Sequence, residues 1–181
     1  MGKYKKLGKN VALLTIGNFA SKLLSFLLVP FYTAVLSTSE YGTADMITTS
    51  VNLVMPVFTL LVYESVMRYS LDIANDRKQV FSIGLYVTII GGILITLGSQ
   101  ILKLSNTLRP YILLFILYYI SLAVYNLILQ FVKGIEQVAV YSTAGVVNTF
   151  IFITSNIIFL LFCNLGVSGY IMAFVIGHTV A

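Results

Sequence analysis

Charge is the first thing this sequence lacks. Only 9% of its residues are Asp, Glu, Lys or Arg, while 59% are hydrophobic. A soluble domain carries about 25% charged residues. So few charges cannot coat a 181-residue globule in water, and lipid is the solvent that suits such a surface. Tryptophan is absent, so the amphipathic rings expected at a membrane interface must be tyrosines. Tyr4, Tyr41, Tyr69, Tyr111 and Tyr141 fall near the ends of apolar runs, where such rings are favoured. The single cysteine, Cys163, excludes an internal disulfide and a cysteine-built metal site. Carboxylates are few and dispersed, and there is no HExxH, Gly-rich phosphate loop or nucleophile elbow, so no enzyme signal is present. The net charge is +5, yet the aromatics sit inside the apolar runs rather than among the basic residues. That excludes a nucleic-acid partner.

What the sequence does contain is a series of long apolar runs, at approximately 11–36, 43–66, 80–102, 111–132, 139–162 and 166–181. Each is near the ~20 residues that cross the hydrocarbon as a helix. The runs are continuously apolar rather than alternating, and backbone polar groups have no water to bond in lipid, so helices are expected and a β-barrel is not. The expected fold class is an all-α membrane protein, a polytopic bundle of about six transmembrane helices. The first run is too long for a signal peptide and continues directly to a second span. With the N-terminus in the cytoplasm, the inner loops hold Lys3, Lys5, Lys6, Lys9, Arg68, Arg77, Lys78 and Lys133, and the outer loops hold only Lys103 and Arg109. The positive-inside rule therefore favours that orientation in the cell membrane. The sixth run reaches Ala181 with no polar flank, which leads to the expectation that residues 1–181 are the N-terminal bundle of a longer protein.

Polar residues inside such runs tend to face protein or a water-filled cavity. Asn18, Ser21, Lys22 and Ser25 step by three or four along the first span, as do Asp45, Thr48, Asn52, Pro56, Thr59 and Tyr63 along the second. Tyr141, Gly145, Asn148 and Ser155 share one face of the fifth, and Tyr118, Ser121, Tyr125 and Asn126 form a broader face on the fourth. These stripes serve either interhelical hydrogen bonding or a shared cavity, and their number favours the cavity. Lys22 lies roughly 16 Å into the first span, too deep to snorkel to the interface. It contacts an anionic substrate or pairs with Asp45 or Glu64. Glu64 and Arg68 are four apart and can pair along the helix. Asp45 is a gate residue or a first-turn partner of the helix dipole. Pro30 and Pro56 are hinges or packing kinks. His178 is a proton-coupling group or a packed, hydrogen-bonded ring.

The stretch from Ile16 to Thr33 resembles the first helix of bacterial polysaccharide-biosynthesis flippases, which belong to the multidrug/oligosaccharidyl-lipid/polysaccharide exporter superfamily. Val35 to Asp45 is similar to that family's turn into the second helix, and the entry to the fifth span at Tyr141-Ser142 with Asn148, and the turn Leu165 to Tyr170, are similar to later segments. The resemblance covers the whole chain as the N-terminal half of a member. It implies two facing six-helix bundles, roughly twelve to fourteen helices in all. It also implies movement of undecaprenyl-pyrophosphate-linked oligosaccharide from the inner to the outer leaflet by alternating access. Lys22 matches a position where relatives often carry a basic residue, and Arg68 matches a basic residue common at the end of the second helix.

The expected substrate contacts are then Lys22, Asn18, Ser25, Asn52 and Asn148. Asp45, Glu64, Arg68 and His178 are candidates for gating or coupling. No cofactor is expected, and a proton or sodium gradient is the candidate energy source. The expected partners are the lipid-linked oligosaccharide, membrane lipid and the missing C-terminal bundle. Two alternatives stand beside this one. A cation-coupled drug antiporter of the same superfamily would favour carboxylates over a lysine in its cavity. A non-transporting remnant or assembly subunit would need no cavity.

Overall fold

The computed structural model describes residues 28–72 and 76–181, together with Thr15, Phe19, Leu23 and Phe26. Asn18, Lys22 and Ser25 lie outside the described residues. Every regular element among the described residues is helical. A helical segment at 28–35 contains Pro30. Six α-helices follow: α1 (Thr38–Thr59), α2 (Val62–Leu71), α3 (Arg77–Gly98), α4 (Ile112–Gly134), α5 (Val138–Ile157) and α6 (Gly166–Val180). Short 3-10 turns at Ser99–Leu104 and Arg109–Tyr111 extend α3 and lead into α4, and α5 runs on as a π turn at Ile158–Phe162.

Three of these helical stretches, Arg77–Leu104, Arg109–Gly134 and Val138–Phe162, are long and apolar enough to cross a membrane. The bent pair α1–α2 makes a fourth if it is one span. This is the architecture of a membrane protein. The second span differs from expectation in two ways. It starts at Thr38 instead of Thr43, because Ser37 and Glu40 form a capping box. The Ser37 hydroxyl accepts from the Glu40 N–H at 3.3 Å, and the Glu40 carboxylate accepts from the Ser37 N–H at 2.9 Å. The polar residues 38–42, expected as a turn, are thereby satisfied as the first helical turn. The span also breaks at Leu60–Leu61, a turn beyond Pro56, where the chain bends by 56°. Pro56 itself stays inside α1. Ser37→Ala is expected to cost about 1 kcal/mol, read as an earlier thermal unfolding of the purified chain. An unchanged midpoint would mean that the cap is idle.

In lipid, helices gain little from hydrophobic burial against one another, so close packing carries the association. Helix α4 is the centre of the packing and touches every other described α-helix. It buries Phe115, Tyr118, Tyr119, Leu122, Ala123 and Leu127. Helix α1 buries Ala44, Ile47, Thr48, Val51 and Met55, the three-and-four spacing of one face. Much of the rest of the apolar surface faces outward, with Phe19, Phe26, Leu53, Tyr86 and Phe150 each mostly exposed, as lipid contact requires.

A tyrosine-lined cavity as the candidate functional site

The segment 28–35, α1, α4, α5 and α6 converge on one polar, aromatic region. Tyr32, from the segment at 28–35, meets Tyr170 of α6 edge to face, with ring centroids 4.8 Å apart, and lies 6.0 Å from the ring of Tyr41 on α1. Phe174 lies one turn along α6 from Tyr170 and 5.4 Å from it, and packs on Phe152 of α5 at 4.2 Å. His178 is one turn further. Its ring stacks on Tyr125 at 5.0 Å and on Tyr118 at 5.8 Å, both from α4. Its Nδ1 is 3.4 Å from the Ser121 Oγ. The four-residue spacing of Tyr170, Phe174 and His178 puts all three on one stripe of α6, and the spacing of Tyr118, Ser121 and Tyr125 does the same on α4.

Two asparagines close the network. Asn52 of α1 lies close to the Tyr118 hydroxyl, and Asn148 of α5 lies close to that of Tyr125. Asn148 comes this close to α6 because residue 177 is glycine: a Cβ there would lie 2.6 Å from Asn148 Oδ1. Tyr32, Tyr41, Asn148, Tyr170, Phe174 and His178 line a cavity of about 210 Å³. The Tyr32 hydroxyl is buried beside it and has no hydrogen-bond partner among the described residues. His178 also lines a second cavity of about 390 Å³, with Ser121, Tyr125 and Thr179.

Of the expected site residues, Asn52, Asn148 and His178 are therefore brought together. Asp45 is close enough to Tyr170 to act on it electrostatically, but it is not in the first turn of α1. The dipole-compensating place there belongs to Glu40, since the helix starts five residues earlier than expected. Glu64 and Arg68 lie beyond the break, on α2. The Glu64 carboxylate accepts from Gln130 Nε2 at 3.2 Å, a tie across to α4 in place of the expected pairing with Arg68 along the helix. Thr48 and Thr59, read as part of a cavity stripe, donate to carbonyls of their own helix at Ala44 and Met55. Tyr32, Tyr41, Tyr170 and Phe174 were not singled out for this site by sequence. Tyr41 carries the same signal as any interfacial tyrosine, and only the four-residue spacing of Tyr170, Phe174 and His178 marks that stripe.

Chemically, the cavity offers aromatic faces, phenol hydroxyls, an amide and an imidazole, and its described lining has no charged side chain. Such a surface stacks on and hydrogen-bonds a neutral polar ring. Among the described residues no group of three His, Cys, Asp or Glu side chains is placed to hold a metal. No protein-family model, curated protein or solved structure matches this chain.

Proposed function

We propose that this chain is one six-helix half of a transporter that moves a lipid-linked oligosaccharide across the cytoplasmic membrane by alternating access, with its N-terminus in the cytoplasm. The observation that carries this reading is the buried, unpartnered Tyr32 hydroxyl at the wall of a tyrosine-lined cavity. A buried polar group without a partner calls for one, and a sugar hydroxyl supplies it while the sugar ring lies on the tyrosine faces. The cavity is smaller than the ~300 Å³ of a drug-sized pocket, which suits one ring of the oligosaccharide at a time. Lys22, outside the described residues, is the proposed contact for the pyrophosphate.

The distribution of charge supports the orientation. Gly134 packs on Met67 and Ser70, and Gly84 on Val66. Arg68, Arg77, Lys78 and Lys133 therefore gather at one end of the bundle, and Lys103 and Arg109 stand at the other end of α3 and α4. The uncharged lining favours a sugar over the cationic drugs of an antiporter, which would draw carboxylates into the cavity.

The test is complementation of a strain lacking its polysaccharide flippase, using the whole gene that encodes this chain. The parent gene is expected to restore surface polysaccharide. Lys22→Ala should abolish it and Lys22→Arg should retain part. Normal surface polysaccharide with Lys22→Ala, at equal expression, would remove Lys22 from the substrate path. Failure of the parent gene, with drug resistance gained instead, would favour the antiporter.

A further inference from the structure

His178 stands between two cavities of different character. On one side is the tyrosine-lined cavity of about 210 Å³, with Tyr32, Tyr41 and Asn148 in its wall. On the other is the cavity of about 390 Å³ enclosed by α4, α5 and α6. The part of this second cavity next to His178 is polar, with Ser121, Tyr125 and Thr179. The remainder is hydrocarbon. Ile120, Val124, Ile128 and Val132 follow one another along α4 at four-residue steps, and Val140 and Ala144 line it from α5. That stripe runs about 18 Å along α4 toward Lys133. Ile120, Ile128 and Val140 are all exposed, so the cavity opens on the outer, apolar surface of the bundle and a chain can enter it from the bilayer.

Depth decides what kind of chain this is. His178 docks on Ser121, which stands about 18 Å from Arg109 and about 20 Å from Gly134 along their helical stretch. The junction of the two cavities is therefore near mid-membrane. The headgroups of resident phospholipids stay at the interface, and only their hydrocarbon reaches this depth. A polar cavity joined to an apolar one at mid-depth fits a lipid whose headgroup has left the interface, which is a lipid in passage between leaflets. The two linings also match the two parts of such a molecule, since a few polar groups set the orientation of a ligand held mainly by apolar walls.

We propose that the second cavity binds the head-proximal hydrocarbon chain of the transported lipid while its first sugar lies in the tyrosine cavity, with His178 at the boundary between them. This rests on the flippase reading and adds where the lipid tail travels.

The experiment uses the purified product of the whole gene that encodes this chain, in detergent. The probe is undecaprenyl phosphate with a photoactivatable diazirine on the isoprene unit next to the phosphate. Its adducts, mapped by mass spectrometry, are expected at 120–132 and 138–144. Unlabelled undecaprenyl phosphate should compete for them about tenfold better than phosphatidylglycerol, or more. Ala144→Phe, which fills the cavity from α5, should reduce the adducts by a similar factor. Ile83→Phe, exposed on α3 and outside both cavities, should leave them unchanged. The adduct map of the parent stands by itself if Ala144→Phe folds poorly. No adducts, or adducts spread alike over the exposed faces of α3, α4 and α5, overturn the proposal. So does Ala144→Phe labelled like the parent. Equal competition by phosphatidylglycerol overturns it too and marks the cavity as a seat for bulk lipid. Failed complementation by the parent gene, with adducts confined to this cavity, overturns the oligosaccharide reading and leaves a polyprenyl site. Restored surface polysaccharide with unselective adducts overturns the tail site alone.

Discussion

Gly177→Ala is expected to lower the surface polysaccharide restored in complementation by at least about tenfold, equivalent to about 1.4 kcal/mol, while the chain still folds and reaches the membrane. The new methyl group would lie 2.6 Å from Asn148 Oδ1. That oxygen is the far end of a flexible side chain, so α5 and α6 need not separate. Asn148 can swing aside, but it then leaves Tyr125 and the wall of the cavity it lines with Tyr32 and Tyr170. The prediction is thus a loss of function with little loss of fold. Gly145→Ala is the control, because a Cβ at 145, on α5 with Asn148, meets nothing within 4 Å. Full activity of Gly177→Ala, at the same membrane level as the parent, would separate Asn148 from the transport path.

The largest effect on stability is expected from a pair of adjacent glycines with opposite outcomes. At Gly91 a Cβ would lie 2.5 Å from the backbone oxygen of Phe58, and a backbone oxygen cannot rotate away. Helix α3 would have to lift off α1, and overpacking of this kind costs about 1–3 kcal/mol or more. At Gly92 the nearest atom is Ile120 Cγ1 at 3.9 Å, an ordinary contact. Alanine there should stabilise α3 by about 0.5–1 kcal/mol through helix propensity alone. The check is the fraction of chain that stays monodisperse after heating in detergent. Equal midpoints for Gly91→Ala and Gly92→Ala would show that α1 and α3 are not held together at this contact.

The helical, membrane-type architecture was legible in the sequence because it follows from local quantities. Run length, the scarcity of charge and the lack of alternation each act within one segment of chain, and lipid leaves the backbone few other ways to satisfy itself. Element ends were less legible where local chemistry competed with hydropathy. The polar residues 38–42 looked like a loop, but the Ser37–Glu40 capping box made them the first turn of α1. The break at Leu60–Leu61 has no sequence mark of its own. Two leucines are poor candidates for left-handed backbone, and the nearby Pro56 suggested a kink one turn too early.

The polar stripes show where periodicity stops being informative. Thr48 and Thr59, from the stripe of the second span, both turn their hydroxyls back onto carbonyls of their own helix, as Thr43 and Thr88 also do. A side chain that can satisfy itself within one turn needs no cavity. Tyrosine, asparagine and histidine reach further. Asn52, Asn148 and His178 accordingly do meet partners from other helices, namely Tyr118 and Tyr125 of α4. Sequence could name those three residues but could not join them, since they come from α1, α5 and α6.

The sequence by itself determined the apolar, lipid-suited surface of this protein and its helical class, because each depends on composition and on spacing within a segment. Only the tertiary structure decided which polar groups face one another. Tyr170 is far along the chain from Tyr32 yet packs edge to face against it, and their meeting depends on helix packing that no local pattern encodes. The same is true of the Phe58 carbonyl, Gly91 and the Tyr119 hydroxyl, where a missing side chain on one helix lets the end of a second approach the buried hydroxyl of a third.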